Sequence, residues 1–500
     1  MAKSTESTRH VELEWKFDAP ESGVAPCFDG LAVVSRVEKL ATQQLDAVYF
    51  DTAGKDLAAN RVTLRRRTGG ADAGFHLKLP AGQARTEIRA PLGESSEVPE
   101  ELLDVVRAIV RDRPLAPVAT ISTARDVTML YGPDGTALAE FCDDRVSAAR
   151  LAPSSSSPGE EASQQWREWE LELVDAGIED AAGVLKRLAN RLHDAGAVAA
   201  GHGSKLARVL GDSPARREPP EDPVHRAVAE QVAALLVWDR AVRDDADDAV
   251  HQMRVTIRQI RSLLQASEEE FGLTDDATIL TELRELAGIL GVARDAEVLA
   301  ERYSDALSAL PPELVRGPVR ERLVDGGWQR YRAGLNRSLK AMRSARYFRL
   351  LDALDEVVVS SPPPGDDHPH TTIRSGYKRV RNRLRAAHEA TTEHDHEDAL
   401  HRVRKAAKRL RYVAAATGEK KVSERAKAIQ SLLGDHQDSV VSRAHLLTQA
   451  AAAHAAGEDT FTYGVLYQRE EELAQRCREQ LDGAAKALRC SVRNATDAGG

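Results

Sequence analysis

The sequence predicts an α+β multidomain chain, with a β-rich N-terminal region and an all-α C-terminal region, and three observations predict it. Ahead of a proline-rich stretch at 213–223, short segments alternate apolar and charged residues at period two. Beyond that stretch the pattern changes to long helical periodicity rich in Ala, Leu, Arg and Glu. Within the C-terminal region a basic pattern recurs after 150 residues, which marks a duplication.

Whole-chain properties narrow the class. The 500 residues are too many for one compact core, and about 150 residues per domain suggests two to four units. A hydrophobic content of 42% with 29% charged residues is that of a globular protein. The net charge of −9 excludes a globally basic nucleic-acid binder, so any anion site must be a local concentration of Lys and Arg. The opening ten residues have no apolar core, and even Val232 to Trp238, among the longest apolar runs, falls short of a membrane helix. Cys27, Cys142, Cys477 and Cys490 form no CxxC pair, so reduced thiols in a cytoplasm are expected, with neither a disulfide frame nor a zinc site.

In order along the chain, Glu12-Leu13-Glu14-Trp15-Lys16 comes first. In an extended strand Glu12, Glu14 and Lys16 share a face. Carboxylates so spaced suit a hard divalent cation such as Mg2+ or Mn2+, and the lysine suits the phosphate that such a cation brings. Strands are then expected at 47–50, 61–68, 75–79, 85–90, 127–130, 137–146 and 165–174. Each repeats the theme: Arg65 with Arg67, His76 with Lys78, Arg85 with Glu87 and Arg89, Glu140 with Asp144, and Glu168 with Glu170 and Glu172. An open sheet would turn these faces to solvent; closure would turn them into a polar lumen. Ser154 to Pro158 reads as a loop and 211–223 as an interdomain linker. No GxxxxGK[ST] phosphate loop occurs.

Over about residues 8–210 these motifs resemble the CYTH, or triphosphate tunnel metalloenzyme, family: Glu12-x-Glu14-x-Lys16, Leu64-Arg65-Arg66-Arg67, His76-Leu77-Lys78, Arg85-x-Glu87, Arg125, Asp144, Glu168-x-Glu170-x-Glu172 and Ser204-Lys205. The resemblance implies an eight-stranded antiparallel tunnel for a linear triphosphate. Arg65, Arg67, Lys78, Arg85, Arg125 and Lys205 would contact phosphates, Glu12, Glu14, Glu170 and Glu172 would hold Mg2+ or Mn2+, and Lys16 would sit beside the transferred phosphoryl group with Glu12 and Glu14 as its catalytic companions. Where many relatives carry a further glutamate, this chain has Arg89, an exchange of an acid for a cation.

In the C-terminal region, His251, Arg254, Arg258 and Arg261 stand at i, i+3, i+7 and i+10, one stripe at about 100° per residue, with Met253, Ile257, Ile260 and Leu264 opposite. His401, Arg404, Lys408 and Arg411 repeat the stripe 150 residues on. Leu290-Gly291 with Asp295 and Leu433-Gly434 with Asp438 form a second repeat, at an offset of 143. Residues 250–267 and 399–417 contain no Asp or Glu, so like charges repel along each helix unless an anion binds. Aromatic content of 4% argues against stacking of single-stranded nucleic acid. His368 to His370 and His394 to His396 read as solvated loop histidines.

Those helices resemble the CHAD family over about residues 222–495, with His251, Arg254, Arg258 and Arg261 matching one motif and His401, Arg404, Lys408, Arg409 and Arg411 the other. That resemblance implies two four-helix bundles, about 224–360 and 371–495, whose basic helices bind inorganic polyphosphate, more tightly below pH ~6.5 where histidine gains charge. The combined expectation is a cytoplasmic, metal-dependent triphosphatase acting on inorganic triphosphate and held to polyphosphate, with polyphosphate granules as a place of association. The alternatives are a non-catalytic polyphosphate-binding protein, a hydrolase of an organic triphosphate such as thiamine triphosphate, an adenylate-cyclising enzyme, and a protein whose basic stripes bind nucleic acid.

Overall fold

The computed structural model describes residues 8–82, 84–93, 95–151, 163–211, 222–266, 271, 277–359, 373–416 and 418–497. The expected loop at 154–158, most of the expected linker, the stretch Pro362-Pro363-Pro364-Gly365 that is expected to join the two helical halves, and His368 to His370 lie outside them. Compactness divides the chain into two units, one of Met1–Glu268, Thr274–Arg284 and Leu339–Ser360, the other of Glu269–Leu273, Glu285–Ser338 and Ser361–Gly500.

The described residues hold eleven strands in one antiparallel sheet: β1 (Thr8–Glu12), β2 (Glu14–Asp18), β3 (Arg36–Lys39), β4 (Gln43–Asp51), β5 (Thr63–Thr68), β6 (Gly74–Ala81), β7 (Ala84–Pro91), β8 (Ala116–Tyr131), β9 (Ala137–Arg150), β10 (Ser163–Leu173) and β11 (Val198–Ala199). Hydrogen bonding runs β1-β7-β6-β5-β4-β8-β9-β10-β2-β11, with β3 added on β8. Eleven strands replace the expected eight for two physical reasons. The N-terminal strand breaks at Leu13, where it changes partner from β7 to β10, and two short strands, β3 and β11, add edges that carry no periodic signal. Because Leu13 alone separates β1 from β2, the sheet returns to its own beginning, and the Leu173 amide donates to the Leu13 carbonyl at 3.1 Å across the seam.

Closure sends the charged faces inward, so the apolar faces need cover from outside. Helix α1 (Asp56–Ala59) and α2 (Glu100–Val110) pack on Leu64, Leu77 and Ile88; α3 (Ala181–Asp194) packs on Phe17, Phe141, Trp169, Leu171 and Leu173; α4 (Lys205–Leu210) packs on Ile121, Val146 and Trp166. Trp169, Leu171 and Leu173 are fully buried, a contribution of roughly 1.5–3 kcal/mol for each such side chain. Their neighbours Glu168, Glu170 and Glu172 point the other way, so one strand anchors the wall and lines the lumen.

From residue 223 the described residues form nine α-helices: α5 (Pro223–Arg243), α6 (Ala249–Ala266), α7 (Thr278–Ser308), α8 (Gly326–Met342), α9 (Ala345–Val359), α10 (Ile373–His388), α11 (Glu393–Ala416), α12 (Lys420–Ala455) and α13 (Phe461–Asp497). In the second unit α10 to α13 share one core around Val380, Val403, Leu410, Ile429 and Leu488. His394 to His396, expected in a loop, open α11, and His396 Nδ1 pairs with the Ala387 carbonyl at 2.9 Å. All four cysteines are free thiols, and no helix among the described residues is long and apolar enough to cross a membrane.

Candidate functional site

Alternation along the strands delivers the sequence's charged pairs to one cavity of about 460 Å3. Lys16, Arg65, Arg67, Lys78, Arg85, Arg89, Arg125 and Lys205 line it together with Glu12, Glu14, Asp72, Glu87, Glu140, Glu170 and Glu172. Every residue assigned to phosphate, metal or catalysis in the N-terminal region is among them. Among the described residues, eight cations against seven carboxylates make the lining almost neutral, and the acids are distributed unevenly. Tyr49 is the only aromatic side chain among the lining residues apart from His10 at the rim.

At one end Lys205 stands in a cage, 2.8 Å from Asp144, 2.6 Å from Glu168 and 2.8 Å from Glu170. Those three acids are the group whose ligand atoms lie within 4.8 Å of one another, spaced for a metal ion. An ammonium has three donors, and here each has a carboxylate. Arg125 adds a fork to Asp144 at 2.8 and 2.6 Å and reaches Glu170 at 2.5 Å, while Lys16 also bonds Glu170. Burial alone would push these acids up, but Lys16, Lys205 and Arg125 hold Glu170 well below the usual carboxylate range, and Lys205 and Arg125 lower Asp144.

At the other end acids face one another across the strands. Glu14 on β2, Glu172 on β10 and Glu140 on β9 lie directly opposite one another in register, a row of like charges that by itself is unfavourable. Glu12, one residue beyond the seam from Leu13, faces the same corner; burial, with Glu172 and Glu87 nearby, pushes it up to about 7 although it bonds Lys78. Burial raises Glu172 as well. Burial also opposes ionisation of Glu14, yet Lys16 and Lys78 draw it down to about 2, and Glu14 with Glu170 outweighs the effect of burial to hold Lys16 above the ordinary lysine range. A row of facing carboxylates fits a hard divalent cation, and Glu12, Glu14 and Glu172 are placed to hold it, whereas Glu170, the fourth ligand that the resemblance implies, is committed to Lys16, Lys205 and Arg125.

Arg89 does face the lumen. It bonds Glu87, which is fully buried and paired with His76 Nδ1 at 2.9 Å, and its other nitrogens lie 3.7 Å from Glu12 and 3.9 Å from Asp72. Asp72, in the turn before β6, pairs with Arg67; no period or motif marks it in the sequence. Burial and the neighbouring guanidinium of Arg65 pull Arg67 down to about 9. The Glu168 carboxylate is outside the cavity lining, held by Trp166 Nε1 at 2.6 Å as well as by Lys205.

In the helices, Met253, Ile257, Ile260 and Leu264 are buried as expected, and His251, Arg254, Arg258 and Arg261 are half-buried on the other flank of α6. On α11, His401, Arg404, Lys408 and Arg411 are half-buried beside the core residues Leu400, Val403, Ala407 and Leu410. Arg409 stands apart from that stripe, on the opposite flank. The Arg404 guanidinium lies against Gly434, where an added Cβ would come within 3.3 Å of it. Burial, followed by Lys405 and Arg404, lowers His401, so its gain of charge comes further below pH 6.5 than the sequence suggests.

A CYTH domain model matches residues 12–195, and a CHAD domain model matches residues 226–447. Two uncharacterized proteins of Mycobacterium tuberculosis, from strains CDC 1551 / Oshkosh and ATCC 25618 / H37Rv, are 61% identical over 504 residues, covering 98% of this chain and 98% of each relative. Among solved structures, the CHAD domain from the plant Ricinus communis aligns at 20% identity over 54% of this chain and 90% of that chain, with a TM-score of 0.40. A Hippeastrum protein, described as an adenylyl cyclase candidate that reveals a dominant triphosphatase activity, aligns at 20% identity over 40% of this chain and 94% of that chain, with a TM-score of 0.26.

Proposed function

This chain belongs to the proteins in which a CYTH domain precedes a CHAD domain, and from that premise we propose that its tunnel hydrolyses inorganic triphosphate with a divalent cation while its basic helices hold polyphosphate. One observation carries the reading: a closed ring of strands turns eight cations and seven carboxylates onto one cavity that has no face for a base beyond Tyr49 and His10. A triphosphate brings about four negative charges at neutral pH. An almost neutral lumen accepts it only with added positive charge, and the clustered acids Glu12, Glu14 and Glu172 are where that charge would sit.

In this reading Arg65, Arg67, Lys78, Arg85 and Arg125 grip the phosphate oxygens and fix the chain in line for attack by water. The bridging P–O bond to the terminal phosphorus breaks as the water oxygen bonds to it, releasing phosphate and pyrophosphate. Lys16, kept protonated by Glu14 and Glu170, steadies the charge on the transferred group. Mg2+ or Mn2+, when bound, supplies charge that offsets the phosphate oxygens and acidifies the attacking water. Lys205, with all its donors committed, braces Glu170 and Asp144 and so sets Lys16 and Arg125. The stripes on α6 and α11 would bind the repeating anion, with the half-buried His251 and His401 at their starts.

A second reading has its own observation. A smaller cavity of about 340 Å3 shares Glu12, Glu14, Lys16 and Arg85 with the first and is lined by Trp15, His193 and His202, a setting in which the ring of an organic triphosphate such as thiamine triphosphate could stack. The test is phosphate release from tripolyphosphate, long-chain polyphosphate, ATP and thiamine triphosphate with Mg2+ or Mn2+, for wild type and Glu12→Ala/Glu14→Ala. Release from tripolyphosphate, lost in the double variant, is expected. Faster release from thiamine triphosphate would shift the reading to the organic substrate. No release from any substrate would leave a polyphosphate-binding protein whose tunnel Arg89 has altered.

A further inference from the structure

The groove between α10 and α11 adjoins the basic stripe of α11 but is lined by none of His401, Arg404, Lys408 and Arg411. Helix α10 carries Arg374, Lys378, Arg379, Arg381, Arg383 and Arg385 and no acid, and the short connection to α11 sets the two helices antiparallel. Gly376 lets them meet closely, since a Cβ there would come within 3.1 Å of Leu410. Beside that contact lies a cavity of about 480 Å3 with an apolar floor of Ala406, Leu410 and Val413. Arg379 and Arg383 rim it from one side, and Arg402, Lys405 and Arg409 from the other. The last three follow i, i+3, i+7, about a third of a turn around α11 from the His401 stripe.

From this we infer that the α10–α11 groove is a second anion site, which takes a cluster of phosphate groups borne by a short condensed phosphate or by a multiply phosphorylated small molecule. Among the described residues no carboxylate stands within ion-pairing distance of Arg379, Arg383, Lys405 or Arg409, and Arg402 reaches only Asp398, at 3.8 Å. Five converging cations over an apolar floor repel one another until an anion joins them. Four are arginines, whose forks match phosphate oxygens in pairs. Among the described residues the lining has no aromatic side chain on which a base would stack. The site shares Arg409 with the proposed polyphosphate set but does not depend on that reading or on the tunnel.

Lys405 lines the groove and Lys408, the next lysine along and about 60° around the helix, does not, so amine acylation read by mass spectrometry compares groove with stripe. The measurement uses the full chain in a chelator, so that no probe is hydrolysed. Saturating tripolyphosphate is expected to slow acylation of Lys405 about tenfold, the effect of a ligand at roughly ten times its dissociation constant. Inositol hexakisphosphate and ATP as parallel probes tell a condensed phosphate from a phosphorylated organic molecule. Arg379→Ala/Arg383→Ala, exposed positions whose helicity is checked by circular dichroism, should lose protection at Lys405 while Lys408 and metal-dependent phosphate release stay as in wild type. Lys405 left unprotected by all three probes, or equally protected in the variant, would overturn the site whatever the tunnel does.

Discussion

Lys205 shows what a single residue can and cannot disclose. Its place after Ser204 marks it as a phosphate ligand by resemblance, yet the fold surrounds it with Asp144, Glu168 and Glu170 from two strands well before it in sequence. Strand parity says that those acids face inward; only the register of β9 with β10 says that they meet one ammonium. Lys205→Met should therefore cost about 3–5 kcal/mol in urea unfolding at pH 7, because it strands buried carboxylates without their partner. Asp144 and Glu170 have depressed values in the folded chain, so the stability from this pairing is full above the ordinary carboxylate range and is lost as pH falls through those values. The gap between wild type and variant should accordingly narrow below pH ~4; a gap that stays constant to lower pH, or no gap at neutral pH, would count against the cage. Arg89 is the opposite case, legible from spacing alone, because an i, i+2 relation to Glu87 fixes its face without help from any other strand.

At the scale of elements, periodicity was informative wherever a strand or helix had one wet and one dry side. All seven strands expected after the opening motif occur, each longer than or close to its expected span, because alternation persists along them. The two-residue β11, the four-residue β3 and the short helices α1 and α4 are too brief to show a period and are set by what they pack against. Helix pairing is likewise hidden from periodicity when small residues govern it. On α8, a Cβ on Gly327 would meet the Ala300 side chain at 2.7 Å, and one on Gly334 would meet the Ala293 backbone at 2.8 Å, so α7 and α8 approach by virtue of missing methyl groups. Gly334→Ala is expected to destabilise the chain by about 1–3 kcal/mol despite its better helix propensity, since backbone cannot yield as a side chain can. A rise in melting temperature would show that the helices are free to part.

For the whole molecule the balance of −9 and the local basic surfaces act in opposite directions on a polyanion. Long-chain polyphosphate is repelled at a distance and held at contact, so binding should weaken steeply with salt. Arg404→Gln/Lys408→Gln removes two contacts on α11 and is expected to lower affinity for long-chain polyphosphate about tenfold at low salt, with a shallower salt dependence and unchanged tripolyphosphate hydrolysis. Equal loss of both activities would mean that the stripe serves the tunnel. The seam at Leu13 has a consequence of another kind. The strand that completes the ring is made before its partners β7 and β10, which follow roughly 70 and 150 residues later. Closure is therefore a contact of high sequence separation, slow to form by the loop entropy that it must overcome. Until Trp169 and Leu171 arrive, the charged face of β2 has no wall to join, and the nascent chain carries an open sheet whose two free edges wait for one another.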